Sequence, residues 1–381
     1  MRYTYYDFFA GGGMAGFGLG ADWKCLFAND IDRHKETSYR ANHSGGSELL
    51  LRDVADVKAD DLPGSPDLVW ASFPCQDLSL AGKGAGLTGK RSGMFKPFWK
   101  LVRQLHFTGR GPKIVALENV YGAIRSNSGR DFATLAAAFS GLGYSFGAMV
   151  VDAVHFLPQS RPRLFMIGIH PELNVPDALV EKGPSSLWHP PALIEGHNLL
   201  SKNAARRWMW WSLPTPPVRN TTLSSIIEEK PNGVKWHTKS ETDYLLKLMS
   251  DVNIDKVNAA KNSGTKVVGT IYRRTRTEAD GTKRQRAEVR FDEIAGCLRT
   301  PAGGSSRQTI MVVEGSKVRS RLLSPREAAS LMGLPQNYIL PERYNEAYKL
   351  AGDGVAVPVV KHLSENLFEP ILNKNRLALV A

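Results

Sequence analysis

The chain has 381 residues, a net charge of +12 at pH 7 and an isoelectric point of about 9.5. This length allows two domains or one large domain with an insertion. No apolar run approaches the ~18–20 residues of a membrane span, the chain start does not resemble a signal peptide, and three scattered cysteines suit neither a disulfide framework nor a zinc site. We therefore expect an intracellular protein without a metal, and its basic charge indicates an anionic partner, most often nucleic acid.

Short apolar runs alternate with amphipathic stretches from residue 1 to about 170. We predict strands in residues 3–10, 25–31, 66–73, 113–120 and 163–169. Helices are predicted between them, in residues 32–43, 93–107 and 130–143. Alternation at these spacings predicts an α/β fold with a doubly wound, mostly parallel sheet.

Near residue 172 prolines and tryptophans become frequent, as in WMWWSLPTPPVRN (208–220). This change predicts a second, smaller and irregular domain over residues 185–344, whose core would include the tryptophans. Residues 1–184 and 345–381 would then form the larger domain. Within the second domain, Ser324 and Glu327 fit a capping box, with Pro325 at the first helical position.

A glycine-rich loop, DFFAGGGMAGFGLG (7–20), follows the first predicted strand. Gly11, Gly13 and Gly16 have the G-x-G-x-x-G spacing. Asp30 ends the second predicted strand, at the distance where an acid commonly binds ribose hydroxyls. NAD enzymes and S-adenosylmethionine-dependent methyltransferases share this pattern, so the loop alone leaves both classes open.

Reactive side chains lie at the ends of two of the predicted strands and at the start of the last. Cys75 comes just after residues 66–73, Glu118 and Asn119 end the next strand, and QSRPR (159–163) places Arg161 and Arg163 before the last. Open α/β sheets bind ligands at the carboxyl ends of their strands. A lone apolar-flanked cysteine is usually a core thiol, but a thiol, a carboxyl and guanidinium groups at one edge predict a catalytic crevice.

Basic residues are concentrated between residues 261 and 290, where nine Lys or Arg face three acids. The stretch YRRTRTEADGTKRQR (272–286) predicts a hairpin or long loop around Asp280-Gly281. It could be a solvated basic hairpin or an element that contacts phosphates. We favour the second interpretation.

Six motifs together resemble the DNA (cytosine-5) methyltransferases of restriction-modification type. They are DFFAGGGMAG, FPCQDLSLAGKGAGLTGKRSGMF, ENV, QSRPR, RLLSPREAASLMGLPQNY and GDGVAVPV, in this order from residue 7 to about 359. The resemblance covers the chain except for a variable block, about 185–295. It implies the S-adenosylmethionine-dependent methyltransferase fold, with residues 1–184 and 345–381 as the catalytic and cofactor-binding domain and 185–344 as a target recognition domain with its hinge.

The resemblance also implies the chemistry of the crevice. The Cys75 thiolate would add to carbon 6 of cytosine, because carbon 5 is too weak a nucleophile to take a methyl group directly. Glu118 would provide a proton or a hydrogen bond to ring nitrogen N3. Asn119 would position Glu118 or the base, and Arg163 would hold the carbonyl oxygen of the pyrimidine. The resemblance also places Arg161 among the catalytic residues.

The implied cofactor is S-adenosyl-L-methionine, and the product S-adenosyl-L-homocysteine. By the same resemblance, the residues expected to contact the cofactor are Phe9, Ala10, Gly11, Gly13, Asp30, Ile31, Asp53, Val54, Pro74, Asp353 and Val355. Three positions depart from the family pattern, and one of them is Met14, where a glycine is common. Asp353 stands where Asn is usual, and Ile31 where a larger aromatic residue is common.

The implied partner is double-stranded DNA, from which the target base must be flipped. The loop SLAGKGAGLTGKRSG (79–93) would close over that base. Residues expected to contact DNA are Lys83, Lys90, Arg91, Arg274, Arg276, Arg299, Ser305 and Arg307.

Three alternatives remain. A tRNA cytosine-5 methyltransferase is disfavoured by a variable block of over a hundred residues. A catalytically silent DNA-binding protein of the same fold is disfavoured by the intact Cys75, Glu118 and Arg163. An NAD oxidoreductase leaves five motifs unexplained. We further expect a cytoplasmic monomer, nucleoid-associated in a prokaryote or phage-infected cell, without membrane contact, and a cognate restriction endonuclease acting on the same sequence without a stable complex.

Overall fold

A computed structural model describes residues 2–74, 92–277, 281–299 and 307–378. By its internal contacts the chain divides into two compact units. Unit 1 comprises Met1–Asp152, Pro162–Pro216 and Val355–Ala381, and unit 2 comprises Ala153–Arg161 and Pro217–Gly354. The limits predicted at 185 and 345 thus differ from those of the units.

The described part of the chain contains the following regular elements. The strands are β1 (Tyr3–Phe8), β2 (Trp23–Asp30), β3 (Leu49–Leu51), β4 (Leu68–Ala71), β5 (Ile114–Val120), β6 (Ser145–Asp152), β7 (Pro162–Ile169), β8 (Val180–Glu181), β9 (Trp210–Trp211), β10 (Lys266–Thr277), β11 (Lys283–Arg290), β12 (Thr309–Glu314) and β13 (Lys317–Leu322). The α-helices are α1 (Met14–Leu19), α2 (Arg33–Asn42), α3 (Phe95–Phe107), α4 (Arg130–Gly141), α5 (Pro191–Asn198), α6 (Lys202–Arg206), α7 (Leu223–Ile226), α8 (Lys239–Lys247), α9 (Asp251–Lys261), α10 (Pro325–Ser330), α11 (Tyr344–Asp353), α12 (Val357–Leu363) and α13 (Glu369–Ala378). A π-helical segment, Ser364–Phe368, joins α12 to α13.

Unit 1 is built on a seven-stranded sheet in the order β3-β2-β1-β4-β5-β7-β6. Strands β3, β2, β1, β4 and β5 run parallel to one another, whereas β7 is antiparallel to both β5 and β6. This arrangement confirms the predicted doubly wound, mostly parallel sheet. Strand β6 lies outside the predicted runs.

The register of the central strands brings their carboxyl ends to one edge. Phe8 of β1 lies beside Ala71 of β4, and Ala71 lies beside Leu117 of β5. Helix α3 covers one face of this region with Phe98, whose ring packs at 5.0 Å from that of Phe8. The glycine loop, the segment leading to residue 75 and the ENV motif therefore begin at neighbouring points of the sheet.

Residues 185–216 belong to unit 1 because they pair with the edge strand β6. The Phe146 N–H donates to the carbonyl of Arg207 at 2.9 Å, and the Met209 N–H donates to the carbonyl of Phe146 at 2.7 Å. Trp208 packs against Phe146 with ring centroids 5.6 Å apart. The tryptophans predicted for the core of the smaller domain thus pack on the large sheet.

Unit 2 is more regular than predicted. It contains a four-stranded antiparallel sheet in the order β11-β10-β12-β13. Leu245 of α8, Val257 of α9 and Met249 of the segment between these helices pack in a core with residues of β10, β11 and β12. The predicted basic hairpin is present as β10 and β11, whose residues 278–280 lie outside the described part.

A buried ion pair stabilises the turn from β13 into α10. Arg321 and Glu327 are fully buried, with Nη2 and Oε1 2.6 Å apart. Ser324 and Glu327 form the predicted capping box, and Pro325 stands at the start of the helix. Arg321 also lies over the ring of Trp236 at 4.9 Å.

Within the described residues, every helix is too short or too polar to cross a lipid bilayer.

Candidate active site

The glycine loop turns the chain sharply between β1 and α1. Phe9, Gly11 and Gly13 have φ angles of 58°, 59° and 75°, in the left-handed region that favours glycine. A Cβ atom at Gly13 would collide with the imidazole of His43. The Gly11 N–H donates to Oδ2 of Asp30 at 2.8 Å, so the loop is tied to the end of β2.

Asp30 and Ile31 lie where β2 ends. Asp30 is nearly buried, and its Oδ1 accepts from the N–H of Asp32 at 2.8 Å. A carboxylate has about four lone-pair sites, so two backbone donors leave it capacity to bind hydroxyl groups. Ile31 is a large apolar side chain with 65% exposure. A buried acid beside an exposed apolar surface fits the ribose and the flat base of a nucleoside.

The remaining predicted cofactor residues of unit 1 have different environments. Asp53 accepts from the Ala55 N–H at 2.9 Å and caps the 3-10 turn Val54–Asp56. Val54 is buried in the hydrophobic core, Pro74 is half-buried, and Ala10 is buried. Val355 is also buried, just ahead of α12, which packs against α1 through Val360 and Gly18.

Asn119 connects the end of β5 to the segment that leads to Cys75. Its Nδ2 donates to the carbonyl of Phe73 at 3.1 Å, and its Oδ1 accepts from the Val120 N–H at 2.9 Å. Asn119 is buried. The side chain therefore fixes the backbone two residues before Cys75 relative to Glu118.

Glu118 and Arg163 form an ion pair at the same edge. The Nε of Arg163 lies 3.2 Å from Oε1 of Glu118, and the side chains are 13% and 9% exposed. The pairing of β5 with β7 dictates this contact, since Val120 lies opposite Arg163 and Glu118 opposite Phe165. Arg163 also donates from Nη1 to the carbonyl of Pro162 at 3.0 Å.

Arg161 belongs to unit 2 and is almost fully buried there. It donates to the carbonyls of Leu298 at 3.3 Å, Gly352 at 2.9 Å and Gly354 at 2.7 Å. The guanidinium group therefore joins two chain segments, one of which contains Asp353. Asp353 itself is exposed at the end of α11.

The predicted DNA-contacting residues that are described all lie in unit 2. Arg274 and Arg276 are about half exposed and both lie near Glu288. Arg299 is exposed. Arg307 donates to Oδ1 of Asn345 at 2.5 Å and lies over the ring of Tyr344 at 5.4 Å.

Cys75, Lys83, Lys90, Arg91 and Ser305 lie outside the described residues.

Sequence reasoning missed a polar cluster that involves β1 and β2, the strands on either side of the glycine loop and α1. Burial, and secondarily the charge of Asp30, raise the pKa of Asp7 well above its usual value. Burial raises the pKa of the Cys25 thiol to about 12. The Tyr39 hydroxyl lies 3.0 Å from Oε1 of Glu48 and 3.8 Å from Sγ of Cys25. A polar residue at position 7 within the apolar run YTYYDFF was the available signal.

The sheet order, with one antiparallel strand inserted beside β5, and the glycine loop leading to an acid at the end of β2 define the fold of S-adenosylmethionine-dependent methyltransferases. Residues 3–369 match the family model described as C-5 cytosine-specific DNA methylase. The chain belongs to this family. The glycine loop is therefore that of a methyltransferase and not that of an NAD oxidoreductase.

Similar curated proteins span nearly the whole chain. The Type II methyltransferase M.BsuFI of Bacillus subtilis is 25% identical over 376 residues, 98% of this chain and 74% of the relative. The Type II methyltransferase M.HpaII of Haemophilus parainfluenzae is 26% identical over 98% of this chain and 91% of its own length. M.HhaI of Haemophilus parahaemolyticus is 24% identical over 95% of this chain and 93% of its own.

Solved structures share the fold at lower identity. The Entamoeba histolytica methyltransferase EhMeth superposes with a TM-score of 0.63 at 13% identity, covering 97% of this chain and 98% of the other. The Dnmt2 methyltransferase of S. pombe gives a TM-score of 0.55 at 15% identity, covering 97% and 99%.

Proposed function

We propose that this chain, a DNA cytosine-5 methyltransferase by family, modifies a flipped-out cytosine within a specific sequence of double-stranded DNA through a covalent bond from Cys75. The observation that carries the proposal is the Glu118–Arg163 pair at the carboxyl edge of the sheet, with Asn119 holding the carbonyl of Phe73. A carboxyl and a guanidinium group are thereby fixed beside the segment that leads to the nucleophile.

The protein residues would divide the chemistry as follows. The Cys75 thiolate adds to carbon 6 of cytosine, and the electrons of the 5,6 double bond move toward carbon 5. Glu118 interacts with ring nitrogen N3, where negative charge would otherwise accumulate, and Arg163 orients Glu118 and holds the carbonyl oxygen. Once carbon 5 carries the new methyl group, it loses its proton to water or hydroxide, the 5,6 double bond re-forms, and the bond between carbon 6 and sulfur breaks to release the Cys75 thiolate.

The family and fold imply S-adenosyl-L-methionine as cofactor. When bound, it supplies an electrophilic methyl group. We propose that Asp30 holds the ribose hydroxyls, that Ile31 packs on the adenine ring, and that Asp53 accepts from the adenine amino group. The glycine loop, with Phe9, Ala10, Gly11 and Gly13, lies close enough to Asp30 to share in this site. Val54, Pro74, Asp353 and Val355 are proposed to complete it.

Unit 2 is proposed to read the DNA sequence. Its basic hairpin and its exposed Arg299 support contact with DNA. The curated relatives are named Type II methyltransferases, which supports a role in a restriction-modification system beside a cognate endonuclease. We propose that the protein works as a monomer in the cytoplasm.

Methyl transfer from labelled cofactor onto duplex DNA, onto tRNA and without nucleic acid tests the function. We expect label on DNA only, and label on tRNA but not on DNA would contradict the proposal. A Cys75→Ala variant should bind DNA and transfer no methyl group. If it transferred methyl at the wild-type rate, the covalent mechanism would be wrong.

A further inference from the structure

Two residues of the glycine loop are glycine because they meet side chains of their own unit. A Cβ atom at Gly13 would collide with Nε2 of His43. A Cβ atom at Gly16 would collide with the hydroxyl oxygen of Tyr5 and lie 3.3 Å from Cε1 of His43. Gly11 differs, since the nearest described atom to its Cβ position is Cδ of Lys35 at 3.9 Å, an ordinary contact. His43 and Tyr5 thus pack directly against the loop at Gly13 and Gly16.

His43 follows helix α2 and is held between aromatic rings. Its ring stacks on that of Tyr39, with centroids 4.4 Å apart and planes at 22°, and it meets the edge of Phe17 at 5.1 Å. Tyr39 is fully buried, and its hydroxyl donates to Oε1 of Glu48 at 3.0 Å. Burial lowers the pKa of His43, and the charge of Glu48 opposes this change only in part. His43 is therefore a neutral ring packed between Tyr39 and the glycine loop.

Tyr5 meets Gly16 from strand β1. It is buried, and the parallel register of β1 and β2 places it beside Cys25. Burial raises the pKa of the Tyr5 hydroxyl well above its usual value, so the group stays protonated. Sγ of Cys25 in turn lies 3.8 Å from the hydroxyl of Tyr39. The two residues that contact the loop thus belong to one cluster of packed side chains.

The conformation of the glycine loop needs such support. Phe9, Gly11 and Gly13 all have left-handed φ angles. This conformation is strained for Phe9, and glycines lose more conformational freedom on folding than other residues. A site that is competent for only a fraction of the time binds its ligand more weakly by that fraction. Side chains that fix the loop therefore raise the affinity for a ligand that they do not touch.

We propose that His43 and Tyr5 are positioning residues that hold the glycine loop in the conformation that binds the cofactor. The inference rests on the proposed function, which places S-adenosyl-L-methionine on this loop. Because both residues act through the loop, they determine cofactor affinity and not the rate of the chemical step. Gly13 and Gly16 are then required by the support of the loop, whereas the Cβ position of Gly11 is free of such a collision.

Calorimetry with S-adenosyl-L-homocysteine tests the inference without catalysis. If His43→Ala leaves the loop competent in one molecule in ten, Kd rises about 10-fold. KM for S-adenosyl-L-methionine should rise with it, and kcat at saturating cofactor should stay near wild type. The matched control is His106→Ala, which removes a ring packed on Tyr144 and His170. It should lower Tm as His43→Ala does and leave Kd unchanged.

A second set of variants tests the contact itself and keeps the inference testable if His43→Ala does not fold. Gly16→Ala should weaken binding, because its methyl group meets the Tyr5 hydroxyl. Tyr5→Phe removes that oxygen, and the remaining neighbours of the methyl group are Cε1 of His43 at 3.3 Å and Cζ of residue 5 at 3.5 Å. The double variant Gly16→Ala/Tyr5→Phe should therefore bind S-adenosyl-L-homocysteine more tightly than Gly16→Ala, a non-additive result expected of residues in contact.

Three results would overturn the inference. They are an unchanged Kd in folded His43→Ala, an equal rise in Kd for His106→Ala, and a double variant that binds no better than Gly16→Ala. Methyl transfer by the wild-type protein separates the two proposals. Wild-type protein that binds S-adenosyl-L-homocysteine but transfers no methyl group to DNA would contradict the proposed function alone.

Discussion

Arg163 contacts Glu118 through Nε, the atom that a lysine side chain cannot reproduce. The pair is nearly buried, where charge-assisted hydrogen bonds are stronger and their geometry more constrained than at the surface. At the scale of single residues, the orientation of Glu118 therefore depends on the shape of its partner as well as on its charge.

Arg163→Lys should lower kcat on the order of 100-fold, a loss typical of removing one oriented electrostatic group. DNA affinity and Tm should change little, because the positive charge is kept. The matched control is Arg125→Lys. Arg125 pairs with Glu195, and their side chains are 63% and 61% exposed, so this variant should leave kcat unchanged. Equal losses in both variants would contradict the role assigned to Arg163.

Arg161 donates to the carbonyls of Leu298, Gly352 and Gly354 and to Sγ of Cys297, and we expect it to act as a positioning residue. Arg161→Lys should lose two of these bonds, each contributing about 1–3 kcal/mol for a charged donor. We expect a lower free energy of unfolding and a KM for the cofactor that rises more than kcat falls, because Asp353 lies between the two glycines. A drop in kcat alone would instead indicate contact with the base.

At the scale of elements, motifs formed by residues close in sequence predicted helix ends correctly where the helix end depends on those residues alone. The Ser324–Glu327 capping box required only neighbouring residues, and it is present. Strand β6 was missed because nothing local distinguishes SFGAMVVD from the apolar end of a helix, and its pairing partners lie far along the chain.

The buried pair of Arg321 and Glu327 gives one test at this scale. Glu327→Ala would leave a buried guanidinium group without its carboxylate, which typically costs about 3–5 kcal/mol. Denaturant unfolding should show this loss. Asp243→Ala breaks the exposed pair with Lys239 and should cost less than about 1 kcal/mol. Similar losses for both variants would mean that burial does not determine the effect.

Gly147 gives a second test. In β6 a Cβ atom at this position would collide with the carbonyl of Met209 and crowd the indole of Trp211. Gly147→Ala should therefore lower the free energy of unfolding by about 1–3 kcal/mol through overpacking. The control is Gly141→Ala at the end of α4, where an added Cβ would meet no atom within 4 Å outside its chain neighbours and the nearby helix backbone, and it should not destabilise the protein. If Gly147→Ala left the free energy of unfolding unchanged, residues 208–211 would not pack on β6 as described.

At the scale of the whole molecule, burial of histidines should make stability depend on pH. Burial lowers the pKa of His189 to about 4, from about 6.5 in the unfolded chain. The fold then favours the neutral ring, a contribution that is complete above pH 6.5 and is lost as the pH falls toward 4. His189→Gln should flatten the decline of the unfolding free energy in this window by about 1–2 kcal/mol. A His189→Gln variant that follows the wild-type curve would show that burial of this ring has no effect.

The order of motifs predicted that Glu118, Asn119 and Arg163 lie at one edge of the sheet, because each motif follows or precedes a strand and parallel strands share that edge. The limits of the units could not be predicted in the same way. Residues 185–216 join unit 1 through hydrogen bonds to Phe146, and residues 153–161 join unit 2 through bonds from Gln159 and Arg161. Local composition does not predict such contacts, because they join residues that are far apart in the sequence.

Unit 2 is made from two pieces of chain, and the smaller one lies between β6 and β7 of unit 1. Within that piece, Gln159 binds the carbonyl of Leu331 at 2.6 Å, and the N–H of Ser160 binds the carbonyl of Ala295 at 2.9 Å. A hybrid made by grafting residues 217–354 from a relative would therefore receive the larger piece of unit 2 without the nine residues, 153–161, that complete it. Exchanges of target specificity between members of this family should transplant residues 153–161 together with 217–354.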